Sequence, residues 1–190
     1  MAEKIEVIDE LTIRRYFDAL DSLVGTNTVL YVFGGAAVAL LGSRIRTTMD
    51  IDIAEPFSRI DRAAFCAASA KAGLPVNPAP DYDAAFIELV GPFRLSLPRP
   101  DAASGGMVLY SGVNLTVKTG SPADLVASKL VRYDEQDQQD IQFLMGEGGA
   151  TMKEVMASVE RLQPAFREDS LVRENLENLV TDLGIWGMDK

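Results

Sequence analysis

The segment from residue 28 to residue 53 places two carboxylates inside a stretch that is otherwise typical of a protein core. It begins with TVLYVF, a β-branched and aromatic run that predicts a buried strand. Two glycines follow, then the helix-favouring run AAVALL, and then TTMDIDIAEP. Apolar and polar residues alternate in this last run, which therefore predicts a second strand. The order is strand, glycine turn, helix and carboxylate strand.

The two carboxylates of DIDI are predicted to point the same way. Side chains two residues apart on a strand share a face, so Asp50 and Asp52 would have Cβ atoms roughly 6 to 7 Å apart. Met49, Ile51 and Ile53 are predicted to bury the opposite face. Like charges this close repel unless a cation lies between them, and Mg²⁺ is commonly held by one or two carboxylates together with substrate phosphates. Two such ions about 3.5–4 Å apart could clamp an in-line displacement at phosphorus.

The glycine pair Gly34 and Gly35 predicts a phosphate site at the turn from strand to helix. Glycine lets the backbone approach a phosphate closely, and the N–H groups at a helix start point towards it. A GG turn alone is commonly just a tight turn, and a D-x-D strand alone is commonly a solvated face. Their occurrence together, in this order, favours a functional site.

Composition excludes several classes of chemistry. The chain of 190 residues has no histidine, which excludes Ser-His-Asp and Cys-His catalysis and His-ligated zinc. A net charge of −10 disfavours broad non-specific binding to nucleic acid. The single cysteine, Cys66, permits no disulfide within the chain. The charged N-terminus lacks a signal peptide, and no apolar run is long enough to cross a membrane, so a soluble cytoplasmic protein is expected.

The rest of the chain divides into a mixed part and a helical part. Amphipathic spacing predicts a helix over residues 5–24, and a second helix is predicted with Ser58 as its N-cap and Gly73 as its C-cap. Further strands are predicted at AAFIELV, FRLSL, MVLY and NLTVKT. From Ser121 the pattern predicts four helices. The expected organisation is an α/β core over residues 1–119 and a helical region over residues 120–190, packed on or beside the core.

Two stretches of this sequence are similar to a known family. VFGGAAVALLGSRIRTTMDIDI resembles the signature of the nucleotidyltransferase superfamily, and its R-x-T-x-D-I-D form looks most like the minimal bacterial branch that includes AbiEii-type toxin nucleotidyltransferases. SPADLVASKLVRYDEQDQQDIQFL is similar to a later motif of that branch. The resemblance implies an α+β fold in which a nucleotidyltransferase-like mixed sheet, flanked by helices, is followed by a C-terminal helical bundle.

The resemblance also implies a role for each matching residue. Asp50 and Asp52 would hold two Mg²⁺ ions. The residues expected to bind the nucleoside triphosphate are Gly34, Gly35, Arg46, Thr48 and Lys129. Lys129 and Asp137 would act in catalysis with the two aspartates. A third metal-binding carboxylate, usual in the superfamily, would be Glu88 or Asp137, although an exposed strand face is the favoured interpretation of Glu88.

The function that follows from the resemblance is Mg²⁺-dependent transfer of an NMP unit from an NTP to an acceptor. Relatedness to the toxins implies an RNA acceptor and an antitoxin protein as partner; a small molecule or a protein side chain stays open as acceptor. Three departures from the family pattern motivate an alternative, a catalytically weak or inactive module that binds nucleotide or a partner: Ala36, Gln136 and the lack of an obvious third metal-binding carboxylate on a later strand. A carboxylate-metal phosphodiesterase or nuclease is a third hypothesis.

Overall fold

A computed structural model describes residues 7–25, 27–101 and 106–188 of the protein. The fold is α+β, as the sequence predicts. The strands are β1 Thr28–Phe33, β2 Asp50–Ala54, β3 Phe86–Val90, β4 Met107–Ser111 and β5 Leu115–Thr119. The helices are α1 Glu10–Asp21, α2 Gly34–Leu40, α3 Arg62–Ala72, α4 Pro122–Lys129, α5 Glu135–Gly146, α6 Met152–Val159, α7 Pro164–Arg167 and α8 Ser170–Ile185. A 3₁₀ turn spans Glu55–Phe57.

The chain divides into two compact units. Unit 1 comprises Met1–Leu95 and Ser104–Thr119, and unit 2 comprises Ser96–Ala103 and Gly120–Lys190. Unit 1 contains the sheet and helices α1 to α3, while unit 2 contains helices α4 to α8. Across the residues that the structure describes, no helix combines the length and the apolar character needed to cross a membrane.

The sheet of unit 1 is mixed, with strand order β3-β2-β1-β5-β4. β1 runs antiparallel to β2 and parallel to β5; β2 and β3 are parallel, and β4 and β5 are antiparallel. Helix α2 packs on β1 and β2, and α1 packs on α2, α3 and β5. The core strand β1 is buried from Leu30 to Phe33, as expected for its β-branched and aromatic sequence.

Capping side chains set where the helices begin. Asp9 accepts the backbone N–H of Thr12 and starts α1, so the helix is shorter than the predicted span, whose first two residues lie outside the described part of the chain. The predicted N-cap of α3 is wrong: Asp61 caps this helix, and the Ser58 hydroxyl instead donates to the Ala54 carbonyl. Gly73 ends α3 in a left-handed conformation, which confirms the prediction.

Two further predictions about unit 1 and its border are wrong. FRLSL was expected to be a strand, but its first residues close a turn in which the Arg94 N–H donates to the Gly91 carbonyl at 3.2 Å. Met49 was expected to share the buried face of β2, yet it is 44% exposed, whereas Ile51 and Ile53 are fully buried. The strand begins only at Asp50, so the alternation of faces does not extend back to Met49.

The outer edge of β3 is covered by the segment that follows α3. The Ile87 N–H donates to the Pro75 carbonyl at 2.8 Å, and the Asn77 N–H donates to the Ile87 carbonyl at 2.8 Å. The Asn77 side chain then accepts the N–H of Leu89 at 2.7 Å. Asn77 has a φ of 44°, a conformation that asparagine tolerates better than most residues.

The sequence of unit 2 marks its helix starts clearly. Ser121 and Thr151 each form a capping box, with Asp124 and Glu154 as the reciprocal residues. Helix α4 packs against both α5 and α6, and α7 packs against α8. α4 is buried from Ala123 to Lys129, its polar residues included, and forms the centre of this unit.

The carboxylate of Asp21 attaches the end of α1 to the β4–β5 turn. Asp21 accepts the backbone N–H groups of Val113, Asn114 and Leu115 at 3.0, 2.8 and 2.7 Å. Desolvation opposes ionisation of this carboxyl, but the three backbone hydrogen bonds outweigh it, so the pKa of Asp21 lies below its ordinary value. The ionised form therefore stabilises the fold.

We expect Asp21→Ala to lower the melting temperature at pH 7, because three N–H groups lose their acceptor. A carboxyl with a depressed pKa in the folded state contributes stability above its unfolded pKa of about 3.9, and the contribution is lost as pH falls through the folded value. The gap between wild type and variant should therefore close when melting is measured below pH 3. Asp81→Ala, at an exposed acidic position of the same unit, is the control. An equal deficit at pH 7 and pH 3 would contradict this account.

Candidate functional site

The pairing of β2 with β3 brings a third carboxylate to the two aspartates. The parallel register places Asp52 beside Glu88 and Asp50 beside Phe86. One oxygen from each of Asp50, Asp52 and Glu88 lies within 4.8 Å of the others, and all three residues are half-buried. We call these three residues the carboxylate trio. Oxygen ligands this close together are the kind of set that binds Mg²⁺ or Ca²⁺.

The start of β2 is held in place by the segment before it. Thr48 pairs with Ile8 through two backbone hydrogen bonds of 2.8 and 3.0 Å. Its hydroxyl donates to Asp50 Oδ1 at 2.9 Å, and Thr48 is only 8% exposed. The threonine therefore fixes the orientation of the first aspartate; its predicted contact with nucleotide stays a prediction.

The glycine turn lies directly against the second aspartate. Gly34 has a φ of 64°, and a methyl group placed on it would overlap the Asp52 carboxylate. A methyl group on Gly35 would overlap the guanidinium of Arg46 and contact the Thr48 hydroxyl. Arg46 also donates to the Thr47 carbonyl. Both glycines therefore lie close against charged side chains, one acidic and one basic, and Gly34 also has a backbone conformation that favours glycine.

An arginine that sequence reasoning did not identify reaches the carboxylate trio. Arg94 Nη2 donates to Glu88 Oε1 at 2.7 Å, and the arginine side chain is 75% exposed while that of Glu88 is 24% exposed. Arg94 follows the turn that replaces the predicted FRLSL strand. The signal for it was the Gly91-Pro92 pair, which favours a turn directly after β3 and so sends the chain back towards Glu88.

Lys129 and Asp137 form a separate charged cluster in unit 2. Lys129 Nζ donates to Asp137 Oδ1 at 3.1 Å and to Asp140 Oδ2 at 2.6 Å. The three residues are 6%, 2% and 3% exposed. Because Lys129 ends α4 and the two aspartates belong to α5, this cluster joins the two helices.

Asp137 receives a second cation from the loop between the helices. Arg132 donates to both of its carboxylate oxygens, at 2.9 and 3.1 Å. Burial opposes ionisation of Asp137, but the hydrogen bonds from Arg132 and the charge of Lys129 outweigh it, so its pKa lies below the ordinary value. The two buried carboxylates of this cluster are therefore matched by two cations.

The structure thus brings the predicted residues together as two groups. Unit 1 collects the two aspartates, Glu88, the glycine turn and the pair Arg46 and Thr48. Unit 2 collects Lys129 and Asp137, with Asp140 as their neighbour. Of the two candidates for a third carboxylate, Glu88 is the one that lies beside Asp50 and Asp52 in the described sheet.

Comparisons of the chain with protein-family models, with curated proteins and with solved structures find no match. The function of the protein is therefore inferred from its sequence and from the geometry of the two charged groups.

We expect Lys129→Met to destabilise the protein by about 3–5 kcal/mol, because it leaves two buried carboxylates without their shared cation. Arg132→Gln removes the same charge from a side chain that is 68% exposed, so it should cost about 1 kcal/mol or less. Urea unfolding followed by far-ultraviolet circular dichroism measures both. Equal losses from the two variants would show that the buried pairing is not what holds α4 to α5.

Proposed function

We propose that the protein is a Mg²⁺-dependent nucleotidyltransferase that moves an NMP unit from an NTP to an acceptor. The observation that carries the proposal is the carboxylate trio beside the glycine turn. Three carboxylates on adjacent strands, with their ligand oxygens within 4.8 Å, could hold a divalent cation, and the glycine turn lies directly against one of them, Asp52. The sequence signature R-x-T-x-D-I-D supports the same assignment.

In this proposal Asp50, Asp52 and Glu88 hold one or two Mg²⁺ ions. When bound, the ions would neutralise charge on the phosphates and help to place the reacting oxygen in line. The acceptor oxygen forms a bond to the α-phosphorus, and a hydroxyl acceptor releases its proton to solvent; the bond to the β,γ-pyrophosphate breaks, and pyrophosphate leaves. Thr48 supports this step by holding the Asp50 carboxylate in one orientation.

The glycine turn and Arg46 would bind the polyphosphate. Gly34 and Gly35 carry no side chains, so the backbone can approach the phosphate oxygens closely. The Arg46 guanidinium lies against Gly35. It supplies positive charge at the glycine turn, beside the carboxylates of the trio. A planar guanidinium donates to phosphate in bidentate fashion, which suits this role.

The second unit enters the proposal through the family resemblance. Contact of Lys129 with phosphate and participation of Asp137 in catalysis stay predictions. In the free protein Lys129 donates to both Asp137 and Asp140. Any catalytic part they take must therefore be compatible with that buried ion cluster.

The acceptor is proposed from the same resemblance. An RNA acceptor and an antitoxin protein partner follow from the toxin branch of the family. The net charge of −10 makes the chain a poor general ligand for RNA, so recognition of an RNA end would need local contacts. The fold itself, a mixed sheet with carboxylates on two neighbouring strands, supports the nucleotidyltransferase-like assignment.

We expect purified protein, incubated with Mg²⁺, the four α-³²P-labelled NTPs and a pool of RNA, to transfer the label from the NTPs to the RNA. Asp50→Asn, Asp52→Asn and Glu88→Gln should each lower transfer by about 100-fold or more, because each removes charge that would hold the ions at the reacting phosphate. Chelation by EDTA should abolish transfer in all proteins.

The control for this experiment is Asp81→Asn, which removes an exposed carboxylate of the same unit. Transfer that is equal in the wild type and in all three trio variants would contradict the proposal. If Mg-NTP raises the melting temperature of the protein but no transfer occurs, the alternative of an inactive nucleotide-binding module is supported. Cleavage of the RNA without release of pyrophosphate would support the third hypothesis, a nuclease.

We expect Gly34→Ala to weaken Mn²⁺ binding by about tenfold or more, because its methyl group displaces the Asp52 carboxylate. Gly42→Ala is the matched control, since Gly42 also has a positive φ, 105°, but a methyl group there meets nothing within 4 Å. Both variants should lose about 1–2 kcal/mol of stability from the left-handed conformation. Calorimetric titration with Mn²⁺ separates the two effects, and equal affinities in both variants would contradict the expected displacement.

A further inference from the structure

Arg94 reaches the carboxylate trio from a turn that directly follows β3. The hydrogen bond from the Arg94 N–H to the Gly91 carbonyl closes this turn, and Pro92 occupies a position that favours it. The chain is thereby folded back, so the guanidinium meets Glu88 Oε1 at 2.7 Å. With a side chain that is 75% exposed, Arg94 is positioned by a local turn and not by packing in the core.

Within the described ranges, Glu88 is the ion-pair partner of Arg94. The arginine therefore supplies one positive charge to a cluster of three carboxylates. A divalent cation that used the same Glu88 carboxylate would face direct repulsion from the guanidinium. The divalent cation and the Arg94 guanidinium cannot both interact favourably with the Glu88 carboxylate. The Arg94–Glu88 ion pair therefore weakens binding of the divalent cation, and a bound cation weakens the ion pair.

We propose that Arg94 determines specificity at this site, disfavouring a free divalent cation and favouring a cation that arrives with polyphosphate. This inference rests on the proposed function, because it takes the carboxylate trio to be a cation site. In the free protein Arg94 neutralises Glu88. Once a cation takes Glu88, the released guanidinium becomes the ion-pair partner of the phosphates that the cation carries.

The energetics favour such an exchange. An ion pair this exposed contributes little stability, so a divalent cation held by three carboxylates can displace it. Arg94 Nη2 lies 2.7 Å from Glu88 Oε1, so the released side chain stays next to any cation that Glu88 holds and next to the phosphates that the cation carries. Guanidinium matches phosphate geometry in bidentate fashion. The cation and the polyphosphate are then coupled through Arg94, each raising the affinity for the other.

The test is Arg94→Gln, titrated by calorimetry with Mn²⁺ alone and with Mn²⁺ plus inorganic tripolyphosphate. We expect the variant to bind Mn²⁺ alone about three- to tenfold more tightly, since a competing charge is gone. We expect it to bind the Mn²⁺–tripolyphosphate complex more weakly by a similar factor. Arg94→Lys, which keeps the charge without the fork of donors, should fall between wild type and Arg94→Gln with both probes.

Arg62→Gln is the matched control. Arg62 pairs with Glu55 at 2.8 Å on the same unit, its side chain is 60% exposed and that of Glu55 is 27% exposed, so the variant makes the same change in charge. If Arg94→Gln gains or loses affinity equally for both probes, the inference is overturned. The same holds if Arg62→Gln shows the same changes in affinity as Arg94→Gln. Opposite shifts confined to Arg94→Gln would support it.

Failure of the inference can be distinguished from failure of the proposed function. If Mn²⁺ binding requires Asp50 and Asp52 but is unchanged in Arg94→Gln, the inference is overturned and the cation site stands. If the wild type binds no Mn²⁺, or Asp50→Asn and Asp52→Asn bind it as the wild type does, both are overturned. Circular dichroism of each variant confirms folding before titration.

Discussion

Repulsion among Asp50, Asp52 and Glu88 is the constraint around which unit 1 is organised. The parallel register of β2 and β3 places Asp52 next to Glu88, and like charges at neighbouring strand positions destabilise a sheet. The opposite face compensates, because Ile51, Ile53 and Ile87 are fully buried. Each such side chain contributes about 1.5–3 kcal/mol relative to an exposed one, which exceeds the cost of a cross-strand like-charge pair, on the order of 1 kcal/mol. The apolar face holds the carboxylates where a cation can use them.

The two charged groups of the protein differ in exposure. In unit 2 the carboxylates of Asp137 and Asp140 are buried and share the buried cation of Lys129, and Asp137 also accepts from the more exposed Arg132. In unit 1 the trio is only half-buried, and Glu88 pairs with Arg94, whose side chain is 75% exposed. Buried and paired carboxylates are closed to a cation from solution, whereas a half-buried set of oxygen ligands is open to one. This contrast is the physical reason for placing the proposed chemistry at the sheet.

Sequence patterns predicted what depends on local periodicity. The alternation in DIDI placed Asp50 and Asp52 on one face, and the capping signals at Ser121 and Gly73 marked helix ends correctly. The position of Glu88 depends on which strand pairs with β2 and in which register, and neither is encoded in the local pattern. Arg94 was missed for a related reason: the apolar residues of FRLSL imitate a strand, while the Gly91-Pro92 turn before them decides the conformation.

The segment at residues 75–77 has a consequence for how the sheet meets other molecules. It uses the outward N–H and C=O groups of Ile87 and the outward N–H of Leu89, so that rim of the sheet offers no ladder for a foreign strand. Unprotected rims are where chains add to one another and aggregate. Shielding the strand that carries Glu88 keeps its carboxylate free of such association.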